Sequence, residues 1–500
     1  MLKTIHKHLV DGVWLALVAL LPVTSMPLVV HLVGSDTVAA PSGVFLLLLL
    51  ILWFVPMLAR RGKLPRQSLP LLALFLFACL TTALALFRDI PAYKGIPVLA
   101  NQAKAVVTLA VGVSFYLVAS TWPRDSQRLE RTLRWINWSG MVLLLWCLVQ
   151  AFFWYSDNRY PDWLRSIHEL YSIGPLYRQR VSGFALEPSW LAHQLNLLYL
   201  PLWLAATVQR TSAHRLRVWK ISLENILLVG GVVILLLTLS RIGMLAFLAM
   251  VAYLLVRGTL WFNRWLQNKA LQSRLTRRIP EQMRRRVVPA LVFSLLALAY
   301  LLVFVGTGLL LSRIDTRMAS LFQFKLGVDN PILQYANQLL FAARLVYWEA
   351  GWNIFNAHPI LGVGLGDAGF YFAGQMSPFA WGLMEVRDLF YRTGNLLNIK
   401  SLWVRLLAET GIVGFSLFIA WLLAILSSAL KIEKAPDRAP RVIALAGQMA
   451  IIGLVFEGFS VDTFAFPYFW FLFGLVTVAC IQITKTRTMD VSMPVNGGDE

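Results

Sequence analysis

The chain has 500 residues, of which 58% are hydrophobic and only 14% charged, with a mean hydropathy of +0.65. Soluble domains carry about a quarter charged residues, so an ordinary soluble globule is excluded and an all-α, polytopic membrane protein is indicated. The net charge of +20 sits mostly in short connectors between apolar runs, which makes it a topology signal and an attraction to membrane lipid, not a nucleic-acid surface.

A span needs roughly 17–25 apolar residues. Twelve are expected, over residues 10–33, 42–59, 69–87, 105–121, 135–154, 189–208, 221–238, 240–256, 287–311, 402–430, 442–459 and 464–483. The basic start runs straight into the first without a small-residue cleavage site, so that span is expected to be retained. The seventh and eighth nearly touch at Leu239, which demands a tight hairpin. Cys79, Cys147 and Cys480 lie inside apolar runs and imply no disulfide framework.

Lysine and arginine crowd alternate connectors and are absent from 34–41 and 460–463. The positive-inside rule then puts both termini in the cytoplasm of an inner-membrane protein that forms one integral membrane domain, 1–500. On the inner side, 257–286 alternates bases with Trp261, Phe262, Trp265, Leu266, Leu271 and Leu275. It reads as an interfacial amphipathic helix or as a plain topology anchor. The outer side has a loop at 155–188, with a short helix over Asp162–Tyr171, and a large helical loop at 312–401 before the tenth span. Within the latter, Leu345, Trp348, Trp352 and Phe355 recur at helical spacing, and that helix should end near Asn356, before His358-Pro359. The interval Arg313–Lys400 is expected to cap a chamber whose charged floor comes from Arg180, Glu187 and Arg241. The tail beyond Thr484 is polar. No internal repeat or inverted pair of halves is visible.

Arginines on the outer face need a reason, because that face is otherwise poor in bases. Arg178, Arg180, Arg241, Arg313, Arg317 and Arg344 form the set. Arg241, in Thr238-Leu239-Ser240-Arg241 with Gly243 beside it, is either a snorkelling residue at a span end or an anion site, since guanidinium grips phosphate oxygens bidentately. Arg178 and Arg180 precede Glu187-Pro188-Ser189 at the start of the sixth span. There Glu187 either caps the helix and pairs with Arg180, or works with the arginines at an anion site. Arg405 and Glu409, one turn apart in the tenth span, read as a self-neutralised pair. The glycine run Gly362/Gly364/Gly366 lacks the spacing of a nucleotide loop and reads as a tight backbone turn, and His358 as a helix terminator. Glu385 and Asp388 are too few acids for a metal, so no metal and no cofactor are expected.

These motifs resemble the O-antigen ligase and O-antigen polymerase superfamily of bacterial envelope glycosyltransferases. The resemblance rests on Thr238–Arg241 between two spans, Arg344 followed by Trp348 and His358-Pro359-Ile360-Leu361-Gly362-Val363-Gly364-Leu365-Gly366, and Leu407-Ala408-Glu409-Thr410-Gly411-Ile412-Val413-Gly414 in the next span. It implies packed membrane helices under an outer cap, and undecaprenyl-diphosphate-linked glycans as donor and acceptor. It further implies arginines (Arg180, Arg241, Arg344) that stabilise the departing diphosphate, and a base for the acceptor hydroxyl. A chain-length regulator is a further partner of such a reaction. Ligases of the family carry a His-Asn pair where this chain has Lys400-Ser401. A lysine is protonated at neutral pH, which points to a polymerase with Glu187 as base, Glu385 and Asp388 in reserve, and with Arg178, His358 and Lys400 holding substrate. The ligase is the alternative. A lipid-linked oligosaccharide transporter, which should show broken spans, is the third reading.

Overall fold

The computed structural model describes residues 2–33, 39–215, 217–219, 221–272, scattered positions between 280 and 309, 342–394, and 396–492. The ninth expected span, Arg313, Arg317 and most of the first half of the 312–401 loop therefore fall largely or wholly outside the described residues, as does the end of 257–286. The fold is all-α: among the described residues the strands are limited to a two-stranded hairpin, Arg217–Val218 with Ile221–Ser222. Eight described helices are long and apolar enough to cross a membrane.

In chain order the first helices are α1 (Leu2–Ala19), α2 (Pro27–Val33), α3 (Pro41–Ala59), α4 (Leu69–Ala85), α5 (Val98–Thr121), α6 (Ser126–Asp157) and α7 (Asp162–Tyr171). Next come α8 (Pro188–Gln194), a π turn over Leu195–Tyr199, α9 (Leu200–Val208), α10 (Leu223–Leu237) and α11 (Arg241–Gln272). The last are α12 (Ala342–Ala357), α13 (Ala368–Gln375), α14 (Met384–Arg387), α15 (Leu402–Ile432), α16 (Arg438–Glu457) and α17 (Pro467–Ser492).

Two expectations about the spans need correction. The run 10–33 is not one helix. Pro22 and Pro27 withhold backbone donors, so α1 stops at Ala19 and α2 starts afresh at Pro27. The residues between them are pinned to the 172–186 loop, where Thr24 accepts the N–H of Leu186 at 2.9 Å and Ser25 that of Ile173 at 3.1 Å. The tenth span is likewise broken: Gly411 takes φ 63, ψ −170 inside α15 and splits it into two helical halves. The short helix over Asp162–Tyr171 and the end of α12 next to His358 fall where the sequence puts them.

The chain forms two units. The first holds residues 1–247, 350–375 and 396–500. Its centre is α17, whose Phe469, Trp470, Phe471 and Phe473 are at most 1% exposed. Close helix approach there depends on absent side chains: a Cβ on Gly112 of α5 would strike Trp470, and one on Gly474 of α17 would strike Ala119. Tyr116 and Thr477 then share a hydrogen bond of 3.0 Å between the two helices. The second unit holds 248–349 and 376–395. In it the Ser377 hydroxyl donates to Glu349 at 3.1 Å, Asp388 pairs with Arg392 at 3.0 Å, and Trp381 meets Phe390 edge to face.

Candidate active site

The hairpin joining α10 to α11 is built by its own polar side chains. Thr238 donates its hydroxyl to Leu235 O at 2.6 Å and accepts the Ser240 N–H at 3.2 Å. Leu239 takes a left-handed φ of 51, and Ser240 accepts the Gly243 N–H at 3.3 Å, capping α11. Arg241 is thereby the first residue of a 32-residue helix, where the helix dipole favours anions. Gly243 does allow a close approach: a Cβ there would lie 2.7 Å from that of Ala192 in α8. Asn196 fastens the contact by donating to Gly243 O at 2.8 Å.

The 172–187 loop lies against this hairpin. Val181 N–H donates to Leu237 O at 3.1 Å, and Arg180 Nε donates to Thr238 O at 2.9 Å. Arg180 and Arg241 are therefore held on neighbouring stretches of backbone, both half-buried. Arg178 does not join them. Gln179 between the two takes a left-handed φ of 60, and Arg178 instead lines a separate cleft of about 520 Å³ with Arg159, Arg165 and His168. Burial, the main cause, pulls His168 below the ordinary histidine value there.

Glu187 precedes the first turn of α8 but makes no capping bond to it. Its carboxylate accepts the Ser189 hydroxyl at 3.0 Å. Tyr177 lies within electrostatic reach of both Glu187 and Arg180. Burial chiefly, and then Glu187, push its phenol up, while Arg180 pulls it down.

A second polar line runs through the glycine turn. Gly362, Gly364 and Gly366 all have positive φ (68, 104 and 83), a region costly for any other residue. Their loop fills the break in α15: Val363 and Gly364 donate N–H to the Ala408 and Glu409 carbonyls, each at 3.0 Å, and Ile412 N–H turns to Pro359 O at 2.8 Å. Arg88 and Leu365 complete the seat through Gly362 O (2.8 Å) and Thr82 Oγ1 (2.9 Å). Beneath it Arg405 and Glu409 form the expected pair at 2.8 Å, and Arg405 also donates to Asp462 O. Asp462 in turn accepts the Lys400 N–H at 3.0 Å, with Lys400 at a left-handed φ of 54. Gln102 donates to the fully buried Asp367 at 2.7 Å. Burial, reinforced by Glu409, raises that carboxyl from 3.8 to about 7. His358 ends α12 and meets Tyr371 edge to face at 5.9 Å, and burial with Arg88 nearby lowers its pKa.

The remaining predicted residues lie in the other unit: Arg344 half-buried on the first turn of α12, Glu385 on α14, and Asp388 tied to Arg392. Among the described residues no group of three His, Cys, Asp or Glu is gathered for a metal.

Sequence reasoning passed over five residues that the fold makes prominent. Asp367, Gln102 and Asp462 gave no local signal. His193 and Glu457 did give one, as ionisable residues inside predicted spans. They meet at 3.6 Å with at most 2% exposure each, and Asn196 donates to Glu457 at 2.6 Å. This network lies directly behind Gly243, two residues from Arg241.

No curated protein matches the chain. Residues 226–419 match the O-antigen ligase family. The matched stretch is less than half of the chain; it takes in Arg241, Arg344, the glycine turn and the break at Gly411, and it supports the resemblance to the O-antigen ligase and polymerase superfamily.

Proposed function

We propose that the chain is a polysaccharide polymerase that joins undecaprenyl-diphosphate-linked repeat units at the periplasmic face of the inner membrane. The observation that carries this reading is the Arg180–Thr238 bond, which holds a second guanidinium beside the Arg241 hairpin, with Tyr177 in electrostatic reach of both Arg180 and Glu187. Two guanidiniums at a helix N-terminus suit a diphosphate, and Arg344 joins them on the sequence pattern alone.

In the proposed reaction a sugar hydroxyl of the acceptor unit attacks the anomeric carbon of the donor glycan. The bond from that carbon to the diphosphate oxygen breaks, and its electron pair leaves on undecaprenyl diphosphate. Arg180 and Arg241 stabilise the charge that develops there. Glu187 takes the hydroxyl proton, an effect of about 10²–10⁴-fold for a positioned base. Lys400 fills the place of the ligase histidine and is a cation suited to phosphate or an acidic sugar. His358 and Arg178 keep only substrate-holding parts in this reading.

The second reading, ligation to lipid A core or another acceptor, is favoured by the match to the O-antigen ligase family. One assay separates them. Purified protein is given lipid-linked repeat units and no other acceptor. A polymerase produces a ladder of longer lipid-linked products, which Glu187→Gln abolishes. Transfer to lipid A core without a ladder means a ligase, and a ladder that survives Glu187→Gln removes Glu187 as the base.

A further inference from the structure

Helices α10 and α16, which end at the Arg241 hairpin and at Glu457, have their starts at a different cleft. The two ends of α16 lie about 30 Å apart at 1.5 Å per residue. This cleft has a volume of about 710 Å³ and lies between the start of α6, the end of α9, the connector 209–215, and the starts of α10 and α16. Five arginines line it: Arg134, Arg210, Arg215, Arg438 and Arg441. They come from three separate stretches of chain, α6, the 209–215 connector and α16, so the cluster is a product of folding, not of one basic run.

The two acids in the cleft neutralise little of this charge. Glu130 is spent on a half-exposed i,i+4 pair with Arg134 at 3.3 Å. Glu224 is 2% exposed and turned inward, its Oε1 accepting from Asn137 and from the Ala213 N–H, both at 2.9 Å. The wall is otherwise rigid. Arg134 Nε donates to Ala213 O at 2.7 Å, and Gln209 donates to Arg441 O at 2.9 Å, lashing α9 to α16. Arg441 keeps a buried Nε–H with no hydrogen-bond partner among the described residues. Arg210 sits at a left-handed φ of 53, a conformation a non-glycine residue adopts at a cost.

The connector that lines the cleft continues into the Arg217–Ser222 hairpin. Trp219 at its tip is 88% exposed, and Ile221 beside it is 48% exposed. An exposed tryptophan at the end of a membrane bundle marks the lipid–water boundary. The positive-inside pattern assigns this end to the cytoplasmic leaflet, which is rich in anionic lipid.

We propose that this arginine cleft is a specific site for the phosphodiester headgroup of an anionic phospholipid, with Arg210, Arg438 and Arg441 gripping the phosphate oxygens and Trp219 setting the depth. The site is distinct from the Arg180–Arg241 hairpin and does not depend on how that hairpin is used.

The test is retention of lipid by the full-length protein in phosphatidylcholine nanodiscs doped with phosphatidylglycerol, read by native mass spectrometry. Wild type should retain phosphatidylglycerol over phosphatidylcholine. Arg210→Ala/Arg438→Ala should lose that preference by roughly five-fold for each arginine removed. Lys431→Ala, a base at the same membrane end that does not line the cleft, should retain it. Arg441→Lys, which keeps the charge and removes the planar fork, should weaken retention without changing the protein's monodispersity. Equal retention of the two lipids by wild type would overturn the site. So would an equal loss in Lys431→Ala, which would mean diffuse surface charge. Displacement of phosphatidylglycerol by inorganic phosphate or ATP would overturn the lipid as ligand and leave a soluble phosphate site.

Discussion

Gly364 donates its backbone N–H to the carbonyl of Glu409 at 3.0 Å, so the glycine turn supplies the hydrogen bond that the break at Gly411 takes from α15. Irregular backbone at membrane depth is tolerated where other protein groups satisfy it. The prediction concerns Gly411, whose positive φ belongs to glycine and whose Cβ would run into the Ile360 carbonyl. Gly411→Ala should cost at least about 1–3 kcal/mol from the backbone alone. Thermal unfolding in detergent reads the effect, with Gly374→Ala, which meets nothing within 4 Å, as the neutral control. Equal stability of the two variants would contradict the account of the break.

Arg241→Ala and Arg180→Ala should each lower polymer formation by about 10²–10³-fold, the scale of losing one donor to a developing anion, while the protein still inserts. Lysine at Arg241 should restore little, because a point charge does not reproduce the planar fork. Full activity of Arg241→Ala would return that residue to the role of a snorkelling span end.

Arg405 and Glu409 neutralise each other at 14% and 6% side-chain exposure. Arg405→Gln or Glu409→Gln leaves one charge without its partner and should destabilise by about 3–5 kcal/mol. The double variant removes both charges and should cost clearly less than the sum of the two singles. Strict additivity in this cycle would mean that the pair is not coupled.

Asp367 offers a pH test. Its carboxyl titrates near 7 in the fold and near 3.8 when unfolded. The folded state therefore holds the extra proton between those values, and stability falls as pH rises through that window and stays low above it. Asp367→Asn keeps an oxygen for Gln102 and carries no charge. It should flatten the decline between about pH 4 and 7 and raise the melting temperature above pH 7. An unchanged pH profile would show that Asp367 is ionised throughout.

Orientation is open to direct measurement. Arg178→Cys should react with a membrane-impermeant maleimide in intact cells, and Trp219→Cys, at an 88% exposed position, should react only after permeabilisation. Labelling of Trp219→Cys in intact cells would invert the topology.

Short-range features were legible because neighbouring residues decide them. The hairpin at Leu239, the helix over Asp162–Tyr171, the stop beside His358 and the Arg405–Glu409 pair each follow from spacing, capping or a proline. The break at Gly411 was not legible, since a single glycine in an apolar run is compatible with an intact helix, and the loop that stabilises the break lies some fifty residues upstream. The splitting of the first span had a local sign in Pro22 and Pro27, outweighed by the apolar run around them. Asp367 and Gln102, 265 residues apart, and Asp462 with Lys400 carry no pattern in one dimension. The divergence of Arg178 from Arg180 turns on one left-handed residue, Gln179, that a sequence does not announce.

Three glycines in five residues ordinarily suggest a supple stretch. Here their freedom is used once, to reach a single fixed path. If the turn lifted away from α15, the carbonyls of Ala408 and Glu409 would lose their donors at sites 0% and 4% exposed, at roughly 1–3 kcal/mol each. In the proposed reaction the turn is thus expected to stay in place, and whatever swings aside to admit a glycan and release its lipid carrier is expected to be some other segment of the chain.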